Sequence, residues 1–216
     1  WRLHRSKFQL HSLTMKSILA ACFLGAAAAF APSAGREGSR LSALNGEKSP
    51  AMPFLPYPEN CRGYIGDDIA FDPLGFSDYF PMDYLRESEI KHGRIAMLAV
   101  VGYITTDLGI ILHPLGKGLT SATAHDAMVA NGVMGNMLVW LGIAEIVGWL
   151  AVSEMLQGSG REPGYFGFGT KFYEGKGEAT ITKLKYNEIM NGRLAMLAFG
   201  GMVTQSVYYD VGFPYF

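Results

Sequence analysis

The chain has 216 residues, a formal net charge of −1 and only 17% charged residues, which argues against a nucleic-acid partner because no basic stripe is present to neutralise phosphates. Nearly half of the residues are hydrophobic and the mean hydropathy is +0.15, a balance that favours a membrane protein. Two cysteines, Cys22 and Cys61, form no CxxC, which argues against a disulfide framework and a zinc or redox site.

Residues 1–14 precede the expected initiator Met15 and are set aside as an upstream segment of doubtful origin. From Met15, Lys16 supplies a short positive region and Ile18 to Phe30 an apolar core too short to span comfortably. The core ends in Ala-Phe-Ala-Pro, a small-residue cleavage context, so 15–31 reads as a signal peptide. Residues 32–49 are rich in Ser, Gly, Ala and Arg and poor in acids, the composition of a transit peptide. The mature chain, 50–216, is expected to form one domain. Its first stretch, to Pro81, is too dense in proline for a long helix, and its interleaved aromatics suit a membrane interface or a flat apolar ligand.

Three long helices are expected, at about 83–112, 125–157 and 181–209, giving an all-α membrane protein with three transmembrane spans. Gly/Pro/aromatic loops separate them, and an aromatic tail from Tyr208 to Phe216 closes the chain. His113 and His125 fall in or beside the first loop, where histidines are usually solvated.

The first and third helices carry an internal repeat. Glu89-Ile90-Lys91-His92-Gly93-Arg94-Ile95-Ala96-Met97 recurs 99 residues later as Glu188-Ile189-Met190-Asn191-Gly192-Arg193-Leu194-Ala195-Met196. From Glu89 to Tyr103 against Glu188 to Met202, nine of fifteen positions are identical. With one intervening span the two helices run in the same direction, so a pseudo-two-fold axis along the membrane normal can relate them.

Ionisable groups at the mouth of an apolar helix need a partner or a task. At about 100° per residue, Arg193 lies about 140° round its own helix from Glu188, too far to pair comfortably, and the same holds for Arg94 and Glu89. Crossing the two copies resolves this, pairing Glu89 with Arg193 and Glu188 with Arg94, and small residues at Gly93, Ala96, Gly192 and Ala195 permit close approach. His92, Asn191 and Gln205 then each offer one neutral donor. Asn191 and Gln205 share a face about 21 Å apart along the axis. Diverging single ligands cannot cage a metal, but each can give an axial bond to a metal that brings its own equatorial set. Magnesium favours oxygen, and a magnesium tetrapyrrole meets that requirement.

The paired Glu-x-x-[His/Asn]-Gly-Arg-x-Ala-Met motif resembles that of the light-harvesting chlorophyll-binding family, in particular the algal fucoxanthin- or peridinin-type chlorophyll a/c proteins. The resemblance covers about 50–216. It implies the light-harvesting complex fold, the two crossed ion pairs, and axial magnesium ligation by Glu89, His92, Glu188, Asn191, Gln205 and the middle-helix Glu145, with Asn136 as a further candidate. Phe71-Asp72-Pro73-Leu74-Gly75 matches a segment that helps seat a central carotenoid, implicating Phe71 and Asp72. The corresponding segment before the third helix departs from that pattern, reading Pro163-Gly164-Tyr165-Phe166-Gly167-Phe168, and the family's late histidine is missing. The two-part presequence, with Phe30 at the junction, is similar to that of plastid proteins in red-lineage algae, and it alone implies chlorophyll c.

The expected function is therefore non-enzymatic. The chain would be a plastid thylakoid antenna binding chlorophyll a, chlorophyll c and a carotenoid (fucoxanthin, peridinin or a related xanthophyll), passing excitation to a photosystem I or II core. Neighbouring antenna subunits and thylakoid lipids are the expected further partners. One alternative is an energy-dissipating protein of the same fold, for which Asp107 and Asp210 are the acid-sensing candidates. Another is a small transporter using the paired charges as an ion path.

Overall fold

A computed structural model describes residues 47–110 and 114–215. The signal-peptide expectation and most of the transit-peptide one fall outside the described residues, as does His113. Apart from one isolated bridge between Lys48 and Pro56, the regular structure of the described residues is helical.

Four helices of ten or more residues make up the body: α1 (Met82–Asp107), α2 (Ser121–Ala130), α3 (Val133–Leu156) and α4 (Glu178–Tyr209). Pro81 leads into α1 with an extended ψ, and Asp83 in the first turn complements the positive end of the helix dipole. The expected run to residue 112 stops at Asp107, where Leu108 and Gly109 (φ 74°) turn the chain out of the helix.

The single middle helix expected over 125–157 is divided. Thr120 and Thr123 form a capping box that starts α2 early, and α2 ends at Asn131. Gly132, at φ 75°, takes the left-handed conformation that breaks α2 from α3. α4 begins three residues earlier than expected and ends at Asp210, also left-handed at φ 53°.

α1 and α4 form the centre. Their axes meet at Gly93 and Gly192: a Cβ built on either would lie 3.0 Å from the other's Cα. Ala96 and Ala195, one turn further on, are buried at the same seam. Beyond them Tyr103 packs edge-on against Phe199, with ring centres 5.8 Å apart. The crossing thus depends on absent side chains, as expected where close packing supplies the attraction between helices.

α3 is long and apolar enough to cross a membrane. Its large side chains are exposed, Leu138, Trp140, Ile146 and Val147 by more than 60%. A surface so apolar is stable only against lipid, pigment or another protein. Among the described helices it alone meets that test on its own sequence, although α1 and α4, at about 39 and 48 Å, exceed the ~30 Å hydrocarbon core in length. The reason is charge: α1 carries Arg86, Glu87, Glu89, Lys91 and Arg94, which lower its own hydropathy but find partners in the folded chain.

Candidate functional site

The charged residues gather where α1 and α4 cross. Arg94 Nε donates to Glu188 Oε1 at 2.7 Å, and Arg193 Nε donates to Glu89 Oε1 at 2.6 Å. The pairs lie on either side of the Gly93–Gly192 contact, each joining the two helices. Each pair sets one cation against one anion, and the side chains involved are 27–41% exposed.

The loops before the two helices lean on the same seam. Gly66 sits over Ile189 and Arg193, and Gly164 sits over Ile90 and Arg94. At Gly164 the fit is tight: φ is +80°, and a Cβ would come within 2.9 Å of Ile90 Cδ1. Its carbonyl accepts Arg94 Nη1 at 2.8 Å and its N–H donates to Glu87 Oε2 at 2.5 Å. Arg161 completes this strap, its Nη2 in an ion pair with Glu87 Oε2 at 3.1 Å and its Nη1 donating to the Tyr165 carbonyl at 2.8 Å. Its guanidinium lies 4.9 Å from the Phe166 ring centre, a cation–π arrangement.

Outward from the crossing stand the neutral donors. His92 Nδ1 is 2.8 Å from the Ser88 carbonyl, which can only accept. Nδ1 therefore carries the proton, and the Nε2 lone pair is available to a metal. Asn191 Nδ2 donates to the Asn187 carbonyl at 2.8 Å, which leaves Oδ1 as the free acceptor. In both cases the helix backbone fixes the side chain and leaves one ligand atom. Gln205 is exposed toward the far end of α4. Among the described residues no three His, Cys, Asp or Glu side chains converge on a metal position, so each donor stands as a single ligand, the arrangement that suits a magnesium with its own equatorial ring.

On α3, Glu145 Oε2 is paired with Lys91 of α1, which offsets a carboxylate in the middle of a largely apolar helix. Asn136, nine residues earlier, lies about 180° round the same helix and does not share a site with Glu145. Phe71 and Asp72 border a groove of about 560 Å³ beside Phe76, Arg86, Met196 and Leu197. Phe71 is 66% exposed. Asp72 accepts the Phe76 and Ser77 N–H groups at 2.9 Å each, capping the helical turn Phe76–Tyr79. Burial pushes the Asp72 carboxyl up, but the hydrogen bonds from Ser77, Phe76 and Gly75 outweigh it and hold it below its ordinary value.

Four charged participants escaped the sequence analysis: Arg86, Glu87, Lys91 and Arg161. Arg86 carried a usable signal, standing three residues before Glu89 and so on its side of the helix. Glu87, Lys91 and Arg161 carried none, because their partners are 77, 54 and 74 residues away and depend on the packing.

The chain is similar to known proteins. A family model described as chlorophyll A-B binding protein matches residues 57–207. The fucoxanthin-chlorophyll a-c binding protein of Trieres chinensis is 32% identical, over 88% of this chain and 93% of its own length. Light-harvesting complex stress-related protein 1 of Chlamydomonas reinhardtii is 29% identical, over 83% and 80%. Chlorophyll a-b binding protein 1B-21 of Hordeum vulgare is 33% identical, over 74% and 69%, and all three are chloroplastic. The family match runs from the first aromatic loop to the last turns of α4 and takes in both copies of the motif, so this chain belongs to the chlorophyll a-b binding family of light-harvesting, non-enzymatic pigment proteins.

Proposed function

We propose that the chain is a thylakoid antenna in which α1, α3 and α4 span the membrane, with α1 and α4 related by a pseudo-two-fold axis along its normal. It binds chlorophyll a, chlorophyll c and a carbonyl carotenoid, and it passes excitation to a photosystem core and to neighbouring antenna subunits. The domain is residues 50–216, and residues 15–31 and 32–49 act as a two-part plastid presequence. One observation carries this reading. Each crossed carboxylate is neutralised by the other helix's arginine, and beside each stands a side chain, His92 or Asn191, held by its own helix so that one ligand atom is left free.

Glu89, His92, Glu145, Glu188, Asn191 and Gln205 would hold the magnesium of bound chlorophylls, with Asn136 as a further candidate on the opposite face of α3. The groove at Phe71 and Asp72 suits the end of a carotenoid, with apolar walls from Met196 and Leu197 and polar groups at its rim. Bound tetrapyrroles supply the light absorption. The protein's part is positional: rigid helices hold the ligand atoms, and neutralised charges keep the surroundings of low polarity. Pigment extraction from the purified complex tests this directly. Chlorophyll a, chlorophyll c and a carbonyl carotenoid are expected; a colourless protein would leave the ion-path alternative.

A second reading, energy dissipation, is favoured by the similarity to stress-related light-harvesting proteins. Fluorescence lifetime of the isolated complex against pH separates the two. An antenna keeps a long lifetime on acidification, and a dissipating protein shortens it.

A further inference from the structure

The repeat extends three residues upstream of each glutamate, and there the two copies behave differently. Arg86 stands three residues before Glu89 and Lys185 three before Glu188. Arg86 is only 6% exposed, and its Nη1 donates to Glu89 Oε2 at 2.6 Å. Glu89 Oε1 already accepts Arg193 Nε, so both oxygens of this carboxylate face a guanidinium. Lys185 turns away, donating to Glu162 Oε2 at 2.5 Å. Glu188 therefore keeps Arg94 on Oε1, and its Oε2 pairs with no cation among the described residues.

The consequence is electrostatic. Arg86, Arg193 and Glu89 together carry one net positive charge, whereas Arg94 and Glu188 are neutral as a pair. Charge-assisted hydrogen bonds draw electron density from the carboxylate that accepts them. A carboxylate has about four lone-pair positions, so Glu89 can still reach a metal, but in competition with two cations. Arg86 cannot leave cheaply, because it is buried and the described ion pairs give it no other carboxylate.

We propose that Arg86 makes the duplicated carboxylates unequal as magnesium sites, with Glu188 the stronger axial donor and Glu89 the weaker. This rests on the reading of Glu89 and Glu188 as axial ligands. Arg86 acts through Glu89 and is a positioning residue, not itself a ligand. The chlorophyll at Glu89 is the more readily exchanged of the two.

The test uses the full chain refolded with chlorophyll a and carotenoid. Difference spectra of Glu89→Ala and Glu188→Ala assign an absorption band to each site. Imidazole, a competing axial ligand, is then titrated into the wild-type complex. The Glu89 band is expected to shift at a midpoint roughly tenfold lower than the Glu188 band, the ratio matching one charge-assisted hydrogen bond. Arg86→Met should close that gap and Arg86→Lys should restore most of it. Should Arg86→Met not refold, Lys185→Arg combined with Glu162→Gln offers Glu188 a second guanidinium and should lower its midpoint instead. Equal midpoints in the wild type, or a gap indifferent to these substitutions, would overturn the inequality. Loss of no chlorophyll in either alanine variant would sink the ligand reading beneath it, a distinct result.

Discussion

Replacing Glu188 by alanine removes a proposed magnesium ligand and strands Arg94 at the centre of the molecule. Breaking a fully buried pair by deleting one member costs about 3–5 kcal/mol, and an exposed pair about 0–1 kcal/mol. Here Arg94 and Glu188 are 41% and 30% exposed, but toward the pigment and lipid side rather than bulk water in the proposed arrangement. Arg94 also keeps one acceptor, the Gly164 carbonyl at 2.8 Å. The cost should therefore fall near 2–3 kcal/mol, the worth of a lost hydrogen bond between charged groups plus part of the desolvation. Glu89→Ala should cost more, because it strands both Arg193 and Arg86. The assay is chlorophyll stoichiometry together with thermal loss of pigment circular dichroism. Each variant should lose one chlorophyll, with the lower melting temperature in Glu89→Ala. Combining Glu188→Ala with Arg94→Met should recover part of the stability, since no cation is left unpaired, without recovering the pigment. Unchanged stoichiometry and stability in Glu188→Ala would refute both the ligand and the ion-pair roles.

Four further outcomes follow from the packing. Gly93→Val places two methyl groups where a single Cβ already meets Gly192 at 3.0 Å; the helices must part, and the refolding yield of pigmented complex should collapse. Gly164→Ala combines a left-handed backbone, worth about 1–2 kcal/mol, with a clash against Ile90, and a melting temperature within a degree of wild type would contradict it. Asp72 is held below its ordinary value in the fold, so its contribution is whole above the unfolded pKa of ~3.9 and is lost as pH falls through the lower folded one. The stability gap between wild type and Asp72→Asn should therefore be full at neutral pH and close in strong acid; parallel pH curves would count against the capping role. Asp107→Ala removes the acceptor for the Ser121 N–H (2.7 Å) and hydroxyl (2.8 Å) and for the Phe213 N–H (3.2 Å), and limited proteolysis should then cut sooner on both sides of α2 and in the C-terminal tail.

Much of the molecule was legible in the chain itself, for reasons that can be named. The repeat displays two motif copies at constant offset, and the turn angle of a helix shows that neither arginine can serve its own glutamate. The largely apolar stretch from Ile95 to Leu112 and the proline density up to Pro81 locate helix and loop. Where the structure differs, the cause is local: Gly132 breaks the expected middle helix and Gly109 ends the first one early. Periodicity is blind to a single left-handed residue inside an otherwise helical pattern.

Other features were decided only by the tertiary structure. Glu87 with Arg161, Lys91 with Glu145, and the strap on Gly164 join residues far apart in the chain, and no local spacing encodes them. The doubled motif shows the division most clearly. Read along the chain its copies are near-equivalent, each a glutamate with a basic residue three positions before it. In space Arg86 folds down onto Glu89 while Lys185 reaches outward to Glu162, so one carboxylate is clasped twice and the other once. Helical spacing sets which residues can meet, but the cation's choice between two carboxylates depends on which loop packs beside it.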